Sequence, residues 1–178
     1  MSPFDRFVGV GLGIDVHNAE PDWRSILSNA EELGVDFFEV YTRGEVEWAH
    51  TVKDAAGDFP LLYHDDAMDP ILPGGASEEL IVRAVENMAV TGAPWCVSEL
   101  ATRRLGDRYL DFFMPILLTE EAARVAAENL VALDERLPGR LVCENPPYQL
   151  AVGKLHVLEL MARVVEQAKI NCVLDLGH

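Results

Sequence analysis

Six carboxylate and imidazole side chains recur at one kind of place in this sequence, the point where a short apolar run ends. Asp15 follows Val-Gly-Leu-Gly-Ile, Glu39 sits in Phe-Phe-Glu-Val-Tyr, His64 closes Leu-Leu-Tyr-His, Glu99 closes Cys-Val-Ser-Glu, Glu144 closes Leu-Val-Cys-Glu, and Asp175 follows Cys-Val-Leu. A carboxylate at the end of a buried strand is held rigid by the sheet while its oxygens face a cavity, which is what a hard or borderline cation requires. Glu39 stands among aromatic and aliphatic neighbours, where a carboxylate is costly unless paired or metal-bound, so it joins the candidates. Imidazole with several carboxylates and no cysteine ligand suits iron, manganese or zinc. With iron, open coordination positions would admit oxygen and substrate, and the natural reaction is oxidation. With one divalent metal, the same ligands would polarise a carbonyl and a hydroxyl for isomerisation, a glutamate carrying the proton. The runs Arg140–Pro147 and Asn171–His178 end alike, which predicts that Glu144 and Asp175 share a metal.

These side chains need strands to hold them. Val8–Ile14 alternates branched residues with glycines, so one strand face packs on helices and the other leaves room; Asp15 continues the glycine parity into that room. A phosphate-binding reading of Gly9, Gly11 and Gly13 is disfavoured because the glycines lie within the apolar run and not after it. Further strands are predicted at 36–41, 60–64, 94–99, 140–144 and from Asn171 onward. Helices are predicted at Asp22–Leu33, closed by Gly34, at Glu45–Ala56, after a Ser77 cap, from a Thr119 cap to Arg136, and at Gly153–Lys169. Strand and helix alternate, which implies a parallel sheet with right-handed crossovers. An open doubly wound sheet would use one or two strand ends, whereas a barrel gathers ends from many strands around one axis. Candidates at nearly every strand end favour an α/β fold of the (β/α)8 TIM-barrel type. A full barrel takes about 250 residues, so the expectation is a single domain over residues 1–178 with six β/α units, lacking its last quarter, completed by further sequence or a companion chain.

Composition narrows the partners. Lys and Arg number 14 against 30 Asp and Glu, a net charge of −16, so nucleic acid would be repelled over most of the surface. The densest basic patch, Arg103, Arg104 and Arg108, would bind an anionic substrate group or neutralise neighbouring acids. Cys96, Cys143 and Cys172 lie in apolar runs without CxxC spacing, which predicts small core residues in a reducing cytoplasm. No apolar run is long enough for a membrane span, and no signal-peptide pattern opens the chain. Asp65 and Asp66 read as a turn or cap cluster, His17 and His50 as solvated, and His156 as a helix-surface residue.

The ordered set Gly9-Val-Gly-Leu-Gly, Val35-Asp-Phe-Phe-Glu-Val, Leu62-Tyr-His, Asp111-Phe-Phe-Met-Pro-Ile-Leu-Leu-Thr-Glu-Glu-Ala, Val142-Cys-Glu-Asn-Pro and Val173-Leu-Asp resembles the multinuclear non-haem iron-dependent oxidative enzymes, a family that includes the methanobactin biosynthesis enzyme. The similarity covers nearly the whole chain. It implies a fold like the xylose-isomerase barrels, two or three bound irons, and oxygen-dependent modification of a ribosomally made precursor peptide, often with a peptide-recognition partner protein. For this chain it implies metal binding by His64, Glu144 and Asp175, with Glu99 in the place of an aspartate. Three departures stand out. Ser98-Glu-Leu lacks the family's histidine after strand four, and Tyr41-Thr-Arg-Gly lacks an expected Glu-Asn pair. Asp175-Leu-Gly-His resembles the sugar isomerase and epimerase relatives, in which the aspartate binds metal and the histidine approaches substrate. The expected metal set is His64, Glu99, Glu144, Asp175 and His178; the catalytic set is Glu144, His178 and Glu39; the substrate set is Asp15, Asn145 and Arg103. The expected cofactor is iron, with manganese or zinc as alternatives. Two rival functions are a single-metal sugar or sugar-phosphate isomerase and a non-catalytic barrel that binds a partner.

Overall fold

The computed structural model describes residues 9–15, 23–42, 46–147, 150 and 152–178. The predicted helix starts at Asp22 and Glu45, together with His17, Arg43 and Gly44, lie outside them. Six parallel strands form one sheet: β1 (Gly11–Asp15), β2 (Phe37–Thr42), β3 (Leu61–Asp65), β4 (Trp95–Glu99), β7 (Arg140–Glu144) and β8 (Asn171–Val173). Two further strands, β5 (Ala101–Leu105) and β6 (Arg108–Pro115), form a separate antiparallel hairpin. The parallel strands lie side by side in chain order. Such unidirectional winding builds a barrel wall, since a doubly wound sheet reverses at a switch point. The described residues form an α/β fold of TIM-barrel type, with five β/α units followed by a sixth parallel strand.

The helices that cover the wall are α1 (Trp23–Ser28), α2 (Ala30–Leu33), α3 (Val46–Ala56), α4 (Glu78–Thr91), α5 (Glu120–Asp134) and α6 (Val157–Ala168). Their boundaries follow local chemistry. Ser77 accepts from the Leu80 amide and Thr119 from the Ala122 amide, each ahead of two glutamates that complement the helix dipole. His156 is the N-cap of α6, in a reciprocal capping box with Glu159, and not a residue within the helix as the sequence suggested. Strand parity sorts the core. Phe38, Val40, Leu61, Tyr63 and Cys96 join the hydrophobic layer between sheet and helices, with Leu130, Leu160 and Val164 opposite. The alternate residues face the other way, into the interior of the wall. There the β1 glycines give space: a Cβ on Gly11 would run into the Phe37 ring, and one on Gly13 would lie 3.1 Å from Tyr41.

The cysteines depart from expectation. Cys96 and Cys143 are buried but Cys172 is exposed, because β8 is only three residues long and lies at the end of the sheet order. The excursion after β4 is a β-hairpin. A register shift between Thr102 and Arg104 breaks its alternation, and Gly106, at φ 61°, supplies the positive dihedral of its two-residue turn. None of the described helices is long and apolar enough to cross a membrane.

Candidate metal centre

Register places the site. Tyr41 pairs with His64, His64 with Val97, and Glu99 with Glu144, so interior-facing residues of four strands meet at the carboxyl ends. Two triads of donor atoms result, His64–Glu99–Glu144 and Glu144–Asp175–His178, each within 4.8 Å of one another. Glu144 belongs to both. His64 Nε2 lies 3.6 Å from Glu144 Oε2, while His178 Nε2 lies 3.5 Å from Glu99 and 3.6 Å from Asp175. The structure thus brings together all five residues of the expected metal set.

The surrounding shell orients these donors. His64 is 2 % exposed and its Nδ1 lies 2.7 Å from Glu39 Oε1, which leaves Nε2 turned to the cluster. A carboxylate behind an imidazole fixes its tautomer and raises its basicity as a ligand. Glu39 therefore acts on the site through His64. Tyr41 stacks on the same imidazole with ring centroids 4.2 Å apart. Asn145 does not point to open space: its Oδ1 accepts the Asp175 amide at 2.7 Å, its Nδ2 donates to the Asp175 carbonyl, and its own carbonyl lies 2.9 Å from His178 Nδ1. Asp175 also accepts the Gly177 amide. Asn145 thereby clasps the segment that carries two donors. Arg103 Nε lies 2.9 Å from Asp66 Oδ2 and its guanidinium covers the Phe113 ring at 3.9 Å, so it balances a neighbouring acid. Asp15 ends β1 opposite Tyr41, at the side of the cluster. His50 is exposed.

Electrostatics show what the cluster lacks. Burial pushes the Glu144 carboxyl up to about 7, with Glu99 adding to the rise and His64 opposing it. Glu99 is raised for the same first reason, and its Oε2 is buried without a hydrogen-bond partner. Burial lowers His64, yet the Glu39 hydrogen bond and the surrounding carboxylates outweigh it, and the net shift is upward. Asp175 is lowered, first by the Gly177 amide and further by a hydrogen bond with Glu144. Burial and the same acids raise Tyr41, so its hydroxyl keeps its proton. Carboxylates forced together out of water need a cation or shared protons between them. The orphaned Glu99 oxygen and the crowding around Glu144 fit a divalent ion in each triad, and imidazole–carboxylate donors without thiolate suit iron, manganese or zinc.

Sequence reasoning missed two of these residues in their roles. Tyr41 shares strand parity with Glu39, which was the available signal. The Asn145 clasp bridges 30 residues and leaves no local pattern.

Among solved structures the chain resembles an endonuclease IV from Thermus thermophilus, at 16 % identity and TM-score 0.49, over 94 % of this chain and 62 % of that one. It also resembles a sugar phosphate isomerase/epimerase from Parabacteroides distasonis, at 12 % identity and TM-score 0.47, over 94 % of this chain and 68 % of that one. The chain thus spans less than two thirds of the endonuclease IV structure it overlays. The comparison with curated proteins finds no match. The sequence pattern of the family described as RiPP precursor modification enzyme MbnB/TglH/ChrH matches residues 9–177, and the chain belongs to that family.

Proposed function

We propose that this chain is an iron-dependent oxidative enzyme that modifies a side chain of a ribosomally made precursor peptide. The observation that carries the proposal is the shared position of Glu144 in two donor triads, which suits a centre of more than one ion. His64, Glu99 and Glu144 would hold one iron; Glu144, Asp175 and His178 would hold another. Bound iron would supply the redox chemistry with oxygen. The chain's own residues prepare that chemistry. Glu39 holds the proton on His64 Nδ1 and so keeps Nε2 as the donor. Asn145 sets the positions of Asp175 and His178. Tyr41 shields one face of His64 from water and keeps its own proton beside the carboxylates. Asp15, which ends β1 opposite Tyr41, would contact the substrate residue. His178 faces Glu99 and Asp175, a donor's position, which favours this reading over an isomerase whose histidine would reach toward substrate. A peptide-recognition partner protein would assist substrate delivery.

The test is elemental mass spectrometry on protein purified without oxygen or chelator. Two or more irons per chain, with oxygen consumed in the presence of a cysteine- or acid-bearing precursor peptide, support the proposal. One zinc or manganese per chain, with turnover of a sugar phosphate in the absence of oxygen, would replace it with isomerase chemistry.

A further inference from the structure

Asp65 and Asp66 read alike in sequence, as turn or cap residues, but they part in the structure. Asp65 Oδ1 accepts the Ala67 amide and Oδ2 accepts the Tyr63 hydroxyl, so Asp65 alone closes the turn. Asp66 Oδ2 instead lies 2.9 Å from Arg103 Nε, and its Oδ1 is buried with no hydrogen-bond partner. Only 12 % of the Asp66 side chain and 14 % of the Arg103 side chain are exposed, and the guanidinium lies against the Phe113 ring. Both stand beside the first donor triad. His64 pairs with Val97 across β3 and β4, and two positions further along each segment come Asp66 and Glu99. Arg103 follows on β5, four residues after Glu99. The Glu99 carboxyl feels both charges: burial raises it most, His64 and His178 lower it, Asp66 raises it, and Arg103 lowers it least. Glu99 Oε2 is also buried without a partner. Two orphaned carboxylate oxygens, one on a donor of the triad and one on the acid beside it, leave more negative charge here than hydrogen bonds satisfy.

We propose that Asp66 and Arg103 form a charge pair that sets how tightly the His64–Glu99–Glu144 triad holds its ion: Asp66 strengthens the hold as a buried anion outside the coordination sphere, and Arg103 weakens it by a smaller amount while holding Asp66 in place. The proposal rests on the reading of that triad as a metal site. Neither residue need touch the ion, because a charge acts through a poorly solvated interior over distances at which an exposed charge is screened. The same contact would also serve as a plain tie between the β3–α4 loop and the hairpin. A tie suffers from the loss of either partner, so both substitutions would move the ion's affinity in one direction or leave it unchanged. A field has a sign. Removing the anion and removing the cation push a divalent ion in opposite directions.

Zinc, a divalent probe without redox chemistry, tests this by competition against a chromophoric chelator on the 178-residue protein at neutral pH. Glu99→Gln first identifies which binding step belongs to the triad. At that step Asp66→Asn should weaken zinc about 10-fold and Arg103→Gln should tighten it a few-fold, with the double substitution in between. Arg103→Lys keeps the charge and gives up the planar stack on Phe113, so it should stay within about 2-fold of the parent. Should Asp66→Asn unfold, the two Arg103 variants carry the sign alone, since breaking a tie cannot tighten zinc. Weaker zinc in both single variants, no change in either, or Arg103→Lys matching Arg103→Gln overturns the proposal and leaves the metal site standing. A parent that binds neither zinc nor ferrous iron removes the metal reading, and this inference with it.

Discussion

His64 and Asp65 are consecutive, almost fully buried and ionisable, yet they lie on opposite faces of β3 and have opposite consequences. His64 faces the interior, where its partners are acids brought from three other strands and no hydrogen bond completes the set. Asp65 faces the helices, where Tyr63 donates to Oδ2 at 2.7 Å, the Ala67 amide donates to Oδ1 at 2.9 Å, and Asn87 of α4 donates to the Tyr63 hydroxyl. On one face both Asp65 oxygens accept protein hydrogen bonds, with only the Asn87 Oδ1 of that network left without a partner; on the other, acids from three strands crowd one imidazole in a set that suits a cation. Burial alone does not mark a site; an unfilled donor set does.

Substitutions on the interior face should change metal content and activity. Glu144→Gln removes the donor common to both triads; we expect loss of at least one bound ion and at least about a 100-fold fall in peptide modification, read by elemental analysis and mass spectrometry of the product. Unchanged metal content would break the contrast between the faces. Glu39→Gln leaves every ligand in place and removes only the group behind His64, so metal affinity should fall by about 10- to 100-fold, measured by chelator competition. Asp65→Asn probes the helix face. Burial raises the Asp65 carboxyl from 3.8 to about 6, against the hydrogen bonds that lower it. A raised acid costs nothing below its unfolded value and its full penalty above its folded value. The asparagine variant should therefore match the parent near pH 4 and exceed it above pH 6, by on the order of 2 to 3 kcal/mol in denaturant unfolding, with metal content unchanged. A rise in metal-site defects instead would show that the faces are coupled. The smallest effect should come from Tyr41→Phe, which keeps the stack on His64 and loses only a hydroxyl; a change of no more than a few-fold in activity is expected.

Much of this arrangement was legible in sequence. A strand end is a local event, an apolar run followed by a polar residue, so Glu99 and Glu144 could be found one at a time and the barrel inferred from their recurrence. What escaped were features set by distant partners. Asn145 reads from sequence as a substrate-facing residue, and its clasp on the chain around Asp175 appears only when that segment folds beside it. Arg103 reads from sequence as an anion site or, by preference, a counter-charge, and only the fold shows it beside Asp66 and Phe113. Cys172 has the neighbours of a core residue but lies on a strand too short to be covered. The hairpin was masked by its own bulge.

The Asn145 clasp also bears on kinetics. His64, Glu99 and Glu144 are built into the ladder of the sheet, whereas Asp175 and His178 lie beyond the end of β8 and are tied to it through Asn145 and the Glu144 side chain. Two ions bound this unequally would leave at different rates, the one held by the clasped segment first. The number of ions in an isolated sample would then report the free iron concentration during purification, and occupancy would be a variable the cell can set.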